Sequence, residues 1–157
     1  MSVDGQPGRL LVDSSALLCR YLPDRRQAHV DRLLSSAGEL IVTALARTEV
    51  ELGIHQAVGA PMTEDPDHPA SRLLRDWDRF WVLPVDQRCL RRAADLGRQY
   101  GLNLVNALHL AAFDALPRPG RLLTVDDRQF AAAADLGFDV VDIDSTGGSA
   151  HQLLRAD

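Results

Sequence analysis

Two acids stand where short apolar runs give out, Asp13 after RLLV and Asp126 after RLLTV, and a third, Glu49, lies beyond the run ELIVT. Ligands of open parallel sheets bind outside the carboxyl ends of the strands, so acids delivered there converge on one crevice. Glu49 has Leu45, Ala46, Leu52 and Gly53 at three- and four-residue spacing, surroundings in which a charge is costly without a partner. Glu51 turns to nearly the opposite face, toward Arg47 and His55, and reads as a solvated partner of Arg47. Like charges gathered in this way need a compensating cation, and an oxygen-only set selects a hard one, Mg²⁺ or Mn²⁺. Such an ion polarises a phosphodiester and lowers the pKa of a bound water, which together give hydrolysis. Singly, the acids have plainer uses: Asp13 before SSAL and Asp126 before DRQF both suit helix N-caps, and Asp127 suits a solvated first-turn charge.

The stretch Gly101–Phe113, GLNLVNALHLAAF, predicts a buried helix capped by Asn103, with Leu104, Val105, Leu108, Leu110 and Phe113 wrapping apolar surface around it. Asn106 and His109 interrupt it. Three residues apart, they share a face and present an amide and an imidazole that must be satisfied. For His109 the two readings are a structural hydrogen bond within the helix layer and a contact to substrate or metal.

The elements that position these groups follow from periodicity and punctuation. Short apolar runs predict strands at Arg9–Asp13, Glu39–Thr43, Phe80–Val85, Arg121–Val125 and Phe138–Ile143. Helical patterns fall between them, beginning at Ser14, at Arg25–Ser35, Ala44–Val58, Ser71–Asp78, from an Asp86 cap to Tyr100, to about Leu116, and at Asp126–Leu136. Gly59–Ala70, with three prolines and three acids, predicts a mobile surface connection. Strands alternating with helices predict an α/β fold, a parallel sheet covered on both faces.

With 157 residues, 46% of them hydrophobic, the chain supports one core. A single domain is expected over 9–146, with a disordered lead-in at 1–8 and a frayed tail at 147–157. The net charge of −5 argues against a protein that coats nucleic acid electrostatically but leaves room for a local docking patch. All 17 basic residues are Arg. Cys19 and Cys89 have no spacing suited to zinc or redox chemistry and predict two buried thiols. No signal-peptide pattern and no membrane-length apolar run is present, so a cytoplasmic protein without a membrane partner is expected.

In order along the chain, DSSALL at Asp13, ALARTEV around Glu49, NALHLAAF at Asn106 and TVDDRQF at Thr124 resemble the four motifs of the PIN-domain ribonucleases, and among these the VapC-type toxins of toxin–antitoxin pairs. The resemblance implies a three-layer α/β/α sandwich around a parallel five-stranded sheet. It implies Asp13, Glu49 and Asp126 as metal-binding acids, with Ser15 and Thr124 as supporting hydroxyls. It further implies RNA hydrolysis with Mg²⁺ or Mn²⁺, a homodimer, and silencing by a cognate antitoxin. Asn106 departs from the pattern, which has its third acid there. An amide oxygen ligates Mg²⁺ but brings no charge and takes no proton from water. A variant of weak or altered activity, a deliberate inactivating substitution, and a centre that never used this position all fit. Two rivals remain open at this point: a weakened PIN-like module that binds RNA or antitoxin without efficient cleavage, and a metal-dependent phosphatase.

Overall fold

The computed structural model describes residues 8–61, 64–118 and 120–144, so the expected lead-in before Gly8 and the expected tail lie outside the described residues. Five strands, β1 (Arg9–Val12), β2 (Glu39–Thr43), β3 (Phe80–Leu83), β4 (Arg121–Leu123) and β5 (Asp139–Val140), form one sheet in the order β3-β2-β1-β4-β5. Every pairing is parallel. The chain steps outward from β1 to β3, then returns to lay β4 against the other side of β1. The carboxyl ends of β1 and β4 therefore flank the topological switch point.

Side chains alternate across this sheet, and both faces are buried. Leu10, Val12, Leu40, Val42 and Leu123 enter one apolar cluster, while Leu11, Ile41 and Leu122 enter the other. The first cluster is closed by α1 (Ser14–Tyr21), α2 (Gln27–Ser36), α3 (Ala44–Val58) and α4 (Pro69–Asp76), which contribute Leu17, Val30, Val50 and Leu73 among others. The second is closed by α5 (Gln87–Tyr100), α6 (Leu104–Asp114) and α7 (Asp127–Asp135), through Leu96, Phe113 and Ala133. This is the expected three-layer α/β/α sandwich. Gly53 of α3 faces Leu18 of α1, and a Cβ there would stand 2.8 Å from Leu18 Cδ2, so a larger residue would require the Leu18 side chain to shift.

Boundaries differ from expectation for local reasons. Helix α4 begins two residues early because His68 Nδ1 accepts the Ala70 N–H and Pro69 suits the first helical position. Helix α2 begins late, since Asp24 accepts the Arg26 N–H at 2.8 Å and holds a turn there. Strand β5 keeps two residues of the expected six. It is an edge strand whose continuation bends where Asp144 N–H meets Asp142 Oδ1. Leu104, expected on the apolar wrap of α6, is 71% exposed. Cys19 and Cys89 are buried free thiols, and burial, with the nearby Asp24 charge adding to it, pushes Cys19 up to about 11. Among the described residues no helix is long and apolar enough to cross a membrane.

A polar knot ties three helices of the first layer. Arg20 on α1 donates through Nε to Asp76 Oδ2 at 2.8 Å and through Nη1 to Asp31 Oδ1 at 2.6 Å, and Tyr21 OH donates to Asp76 Oδ2 at 3.0 Å. Burial works against the Asp76 charge, but the Arg20 bond outweighs it and holds the carboxyl below its ordinary range. Asp76→Ala is expected to cost about 2 kcal/mol at neutral pH. That corresponds to a melting point lower by roughly 4–8 °C. Because the folded-state pKa is depressed, this contribution is complete above the unfolded carboxylate pKa and is lost as pH falls through the lowered value. Urea titrations of parent and variant should therefore differ at pH 7 and converge in the acid range; a constant difference would count against the ion pair as its source.

Candidate active site

Strand β1 ends one residue before Asp13, whose N–H continues the ladder to Leu123 O at 2.9 Å. Its extended backbone makes it the N-cap of α1, with Oδ2 accepting Ser15 N–H at 3.2 Å and Ser15 Oγ–H at 2.5 Å. Thr124, just past β4, donates its hydroxyl to the same oxygen at 3.2 Å. The fully buried Gln129 amide points its nitrogen at Asp13, 3.3 Å from Oδ1 and 3.1 Å from Oδ2, the orientation in which both amide atoms meet complementary partners. Asp13 is only 1% exposed, and this ring of donors is what allows a carboxylate to be buried there. The same hydroxyls lock the two loops together: Ser15 Oγ accepts Val125 N–H, and Thr124 Oγ1 accepts Asp126 N–H, each at 3.2 Å.

On the other side of Asp13 stands His109, completely buried on α6. Its Nδ1 lies 2.7 Å from Thr43 Oγ1 at the end of β2, and its Nε2 hydrogen-bonds Glu49 Oε2 on α3. Asp13 Oδ1 and Ser14 Oγ lie 3.8 and 3.4 Å from the same nitrogen. Burial opposes a charge on this ring, but the Glu49 bond and the Asp13 and Glu49 charges prevail and raise its pKa. His109 therefore stands between the two acids, hydrogen-bonded to Glu49 and facing Asp13. Both expectations for Glu49 and Glu51 are answered here. Glu49 finds a buried partner, and Glu51 pairs with Arg47 at 2.8 Å where both are over 40% exposed.

The acids are not all gathered. Among the described residues, no three His, Cys, Asp or Glu side chains stand close enough to hold a metal ion. Asp13 and Glu49 meet around His109, whereas Asp126 gives Oδ1 to Gln129 N–H at 2.8 Å as the N-cap of α7. Asp126 and Thr124 instead line a neighbouring cavity of about 240 Å³ closed by Val141–Asp144. Asn106, half-buried one turn before His109, uses its backbone N–H on the Asn103 cap at 2.8 Å. Asp127 is exposed on the first turn of α7, as expected. Gln129, Thr43 and Ser14 complete the site without having been singled out from sequence. The signal for Gln129 was present but pointed elsewhere, since Asp126-x-x-Gln129 has the spacing of a capping box.

The sequence profile of the PIN domain matches residues 10–136. The chain belongs to the PIN-domain family. This PIN domain is 34% identical over 128 residues to Ribonuclease VapC3 of Pyrobaculum aerophilum, covering 78% of this chain and 92% of that one. Its fold is shared with a toxin–antitoxin complex from Klebsiella pneumoniae, at a TM-score of 0.61 and 20% identity over 85% of this chain and 97% of the other. It is also shared with PAE2754 from Pyrobaculum aerophilum, at a TM-score of 0.62 and 20% identity over 92% and 90% of the two chains. VapBC2 from Rickettsia felis, solved with a DNA fragment of its promoter, matches at 0.53 and 14% over 85% and 98%. Asp13 and Glu49 are hard oxygen donors with the His109 imidazole between them, and Mg²⁺ is commonly held through one or two carboxylates with water and substrate phosphate filling the rest. The Asp13–Glu49 pair suits that demand without a third acid.

Proposed function

We propose that the chain is a Mg²⁺- or Mn²⁺-dependent endoribonuclease of the VapC type, neutralised in the cytoplasm by a cognate antitoxin. The observation that carries this is the buried Asp13 carboxylate, gripped by Ser15, Thr124 and Gln129 and facing Glu49 across His109. The similarity to Ribonuclease VapC3 over nearly its whole length supplies the substrate class. When bound, a divalent ion polarises the scissile phosphodiester and lowers the pKa of an attacking water. Asp13 and Glu49 would hold it, and Asp126, which lines the adjoining cavity, would add a third carboxylate nearby.

The chain's own residues prepare the rest. Donors around Asp13 fix its carboxylate in one orientation and cost no reorganisation during the reaction. His109 stands between Asp13 and Glu49 and hydrogen-bonds the latter, and Thr43 fixes its ring plane. Asn106 contributes neither charge nor a proton acceptor. As the resemblance implies, the protein acts as a homodimer and co-purifies with a small antitoxin.

Binding of a cation to the folded state alone raises the melting temperature. Melts should therefore shift upward with Mn²⁺, and labelled RNA should be cut with Mn²⁺ but spared with EDTA. An unshifted melt would remove the metal site, and cleavage undiminished by EDTA would remove the mechanism.

A further inference from the structure

We propose that the amino end of α2 forms a subsite for a backbone phosphate of the RNA strand, adjoining the acids. The proposal rests on the ribonuclease reading and adds to it where the strand runs. A second cavity, of about 310 Å³, is lined by Arg25, Arg26, His29 and Arg32, with Ile143 and Asp144 opposite. The same two residues, Ile143 and Asp144, wall the cavity that holds Thr124 and Asp126. A basic hollow and an acidic one thus share a partition at the carboxyl edge of the sheet. At about 30 Å³ per water, the basic hollow has room for a phosphate group and several waters.

The three guanidinium groups are not equivalent. Arg26 is held to Asp24 by two bonds of 2.9 Å, from Nε and from Nη2, and is committed to that turn. Arg32 is exposed and has no acidic partner within ion-pairing distance among the described residues. Arg25 is 78% exposed and, among the described residues, its one acidic partner is Asp144, itself 55% exposed, at 2.8 Å. Such a surface pair is weak and exchanges readily. A phosphate matches the guanidinium fork as well as a carboxylate does, with more charge.

RNA is favoured over an acidic protein segment by what lies next door. A polyanion approaching Asp13, Glu49, Asp126 and Asp127 meets like charge, in a chain whose net charge is −5. It needs a cationic anchor within reach of the acids, and the shared wall puts this one there. Asp144 then acts as a built-in competitor that the phosphate displaces from Arg25.

The experiment measures binding of a labelled twelve-nucleotide single-stranded RNA in EDTA, as a function of salt. Arg25→Gln and Arg32→Gln should each weaken binding and lower the salt slope by about 0.7, the loss of one phosphate contact to a single strand. Asp144→Asn should tighten binding, a sign that loss of a merely structural ion pair would not produce. Arg98→Gln, on exposed α5 surface in the opposite layer, should leave the slope unchanged. Unaltered slopes in the α2 variants, with no tightening in Asp144→Asn, would overturn the subsite even if the parent binds and cuts RNA, which would keep the nuclease reading. A parent that neither binds nor cuts RNA would overturn both. Variants that bind RNA like the parent but lose a co-purifying protein would assign the hollow to an acidic segment of that partner instead.

Discussion

Asp13→Asn is expected to leave the fold standing while lowering RNA cleavage by about 10²–10³-fold, the rate equivalent of the several kcal/mol that a correctly held metal contributes. The substitution preserves volume, and its amide oxygen still caps α1 by accepting the Ser15 N–H. What it removes is the charge facing Glu49 across His109. Replacement by alanine would be less informative, since it would strip the cap and leave Gln129 and Thr124 pointing at an empty space. Single-turnover cleavage and thermal melts of parent and variant, with and without Mn²⁺, check the expectation. Comparable rates in the two proteins would place the chemistry away from Asp13.

The opposite change is expected at Asn106. Its side chain stands one turn before His109, half-buried, and among the described residues its one hydrogen bond besides those of its helix is the Asn103 cap on its backbone. Asn106→Asp would add a negative charge one helical turn from His109, on the helix that faces Asp13 and Glu49. Repulsion should lower metal-free stability, and the gain on adding Mg²⁺ should be larger than in the parent, so the two melting curves should diverge as metal is titrated. If activation of water draws on a carboxylate here, cleavage should rise by roughly 10²-fold, the scale of a positioned acid–base group. Equal metal affinity and equal rates at matched ionic strength would show that position 106 lies outside the catalytic centre.

How far these expectations could be reached from sequence differs from residue to residue. The strands announced themselves because buried parallel strands are short unbroken apolar runs, and Asp13 marks where the first of them ends, whereas β4 stops at Leu123, two residues short of the expected run to Val125. Their capping roles were equally legible, being set by neighbours two and three residues away. What pattern alone did not show was that capping and site-building divide the acids differently: Asp13 does both, while Asp126 spends an oxygen on α7 and stays apart from Glu49. The partner of Glu49 lies 60 positions away on α6, and that of Gln129 lies 116 positions away (129 − 13) at the end of the neighbouring strand β1. Helical spacing flagged Asn106 and His109 as one polar face, yet only packing decides that the first is left half-buried and the second is enclosed by Thr43, Glu49 and Asp13. Edge strand β5 was overextended because Phe138, Val141 and Ile143 are buried like strand residues although only two residues pair with β4.

The bonds that close the ring around Asp13 join the first turn after β1 to the loop after β4, across 109 to 111 positions of sequence. A ribosome adding roughly 5–20 residues per second needs about 6–23 s to travel from Asp13 to Gln129. For that interval the growing chain carries Asp13, then Glu49 and His109, but neither Thr124 nor Gln129 to hold the first acid in place. A site laid out in this order is closed only after α7 has left the ribosome, so the order of the sequence makes the ring around Asp13 one of the late events of its own synthesis.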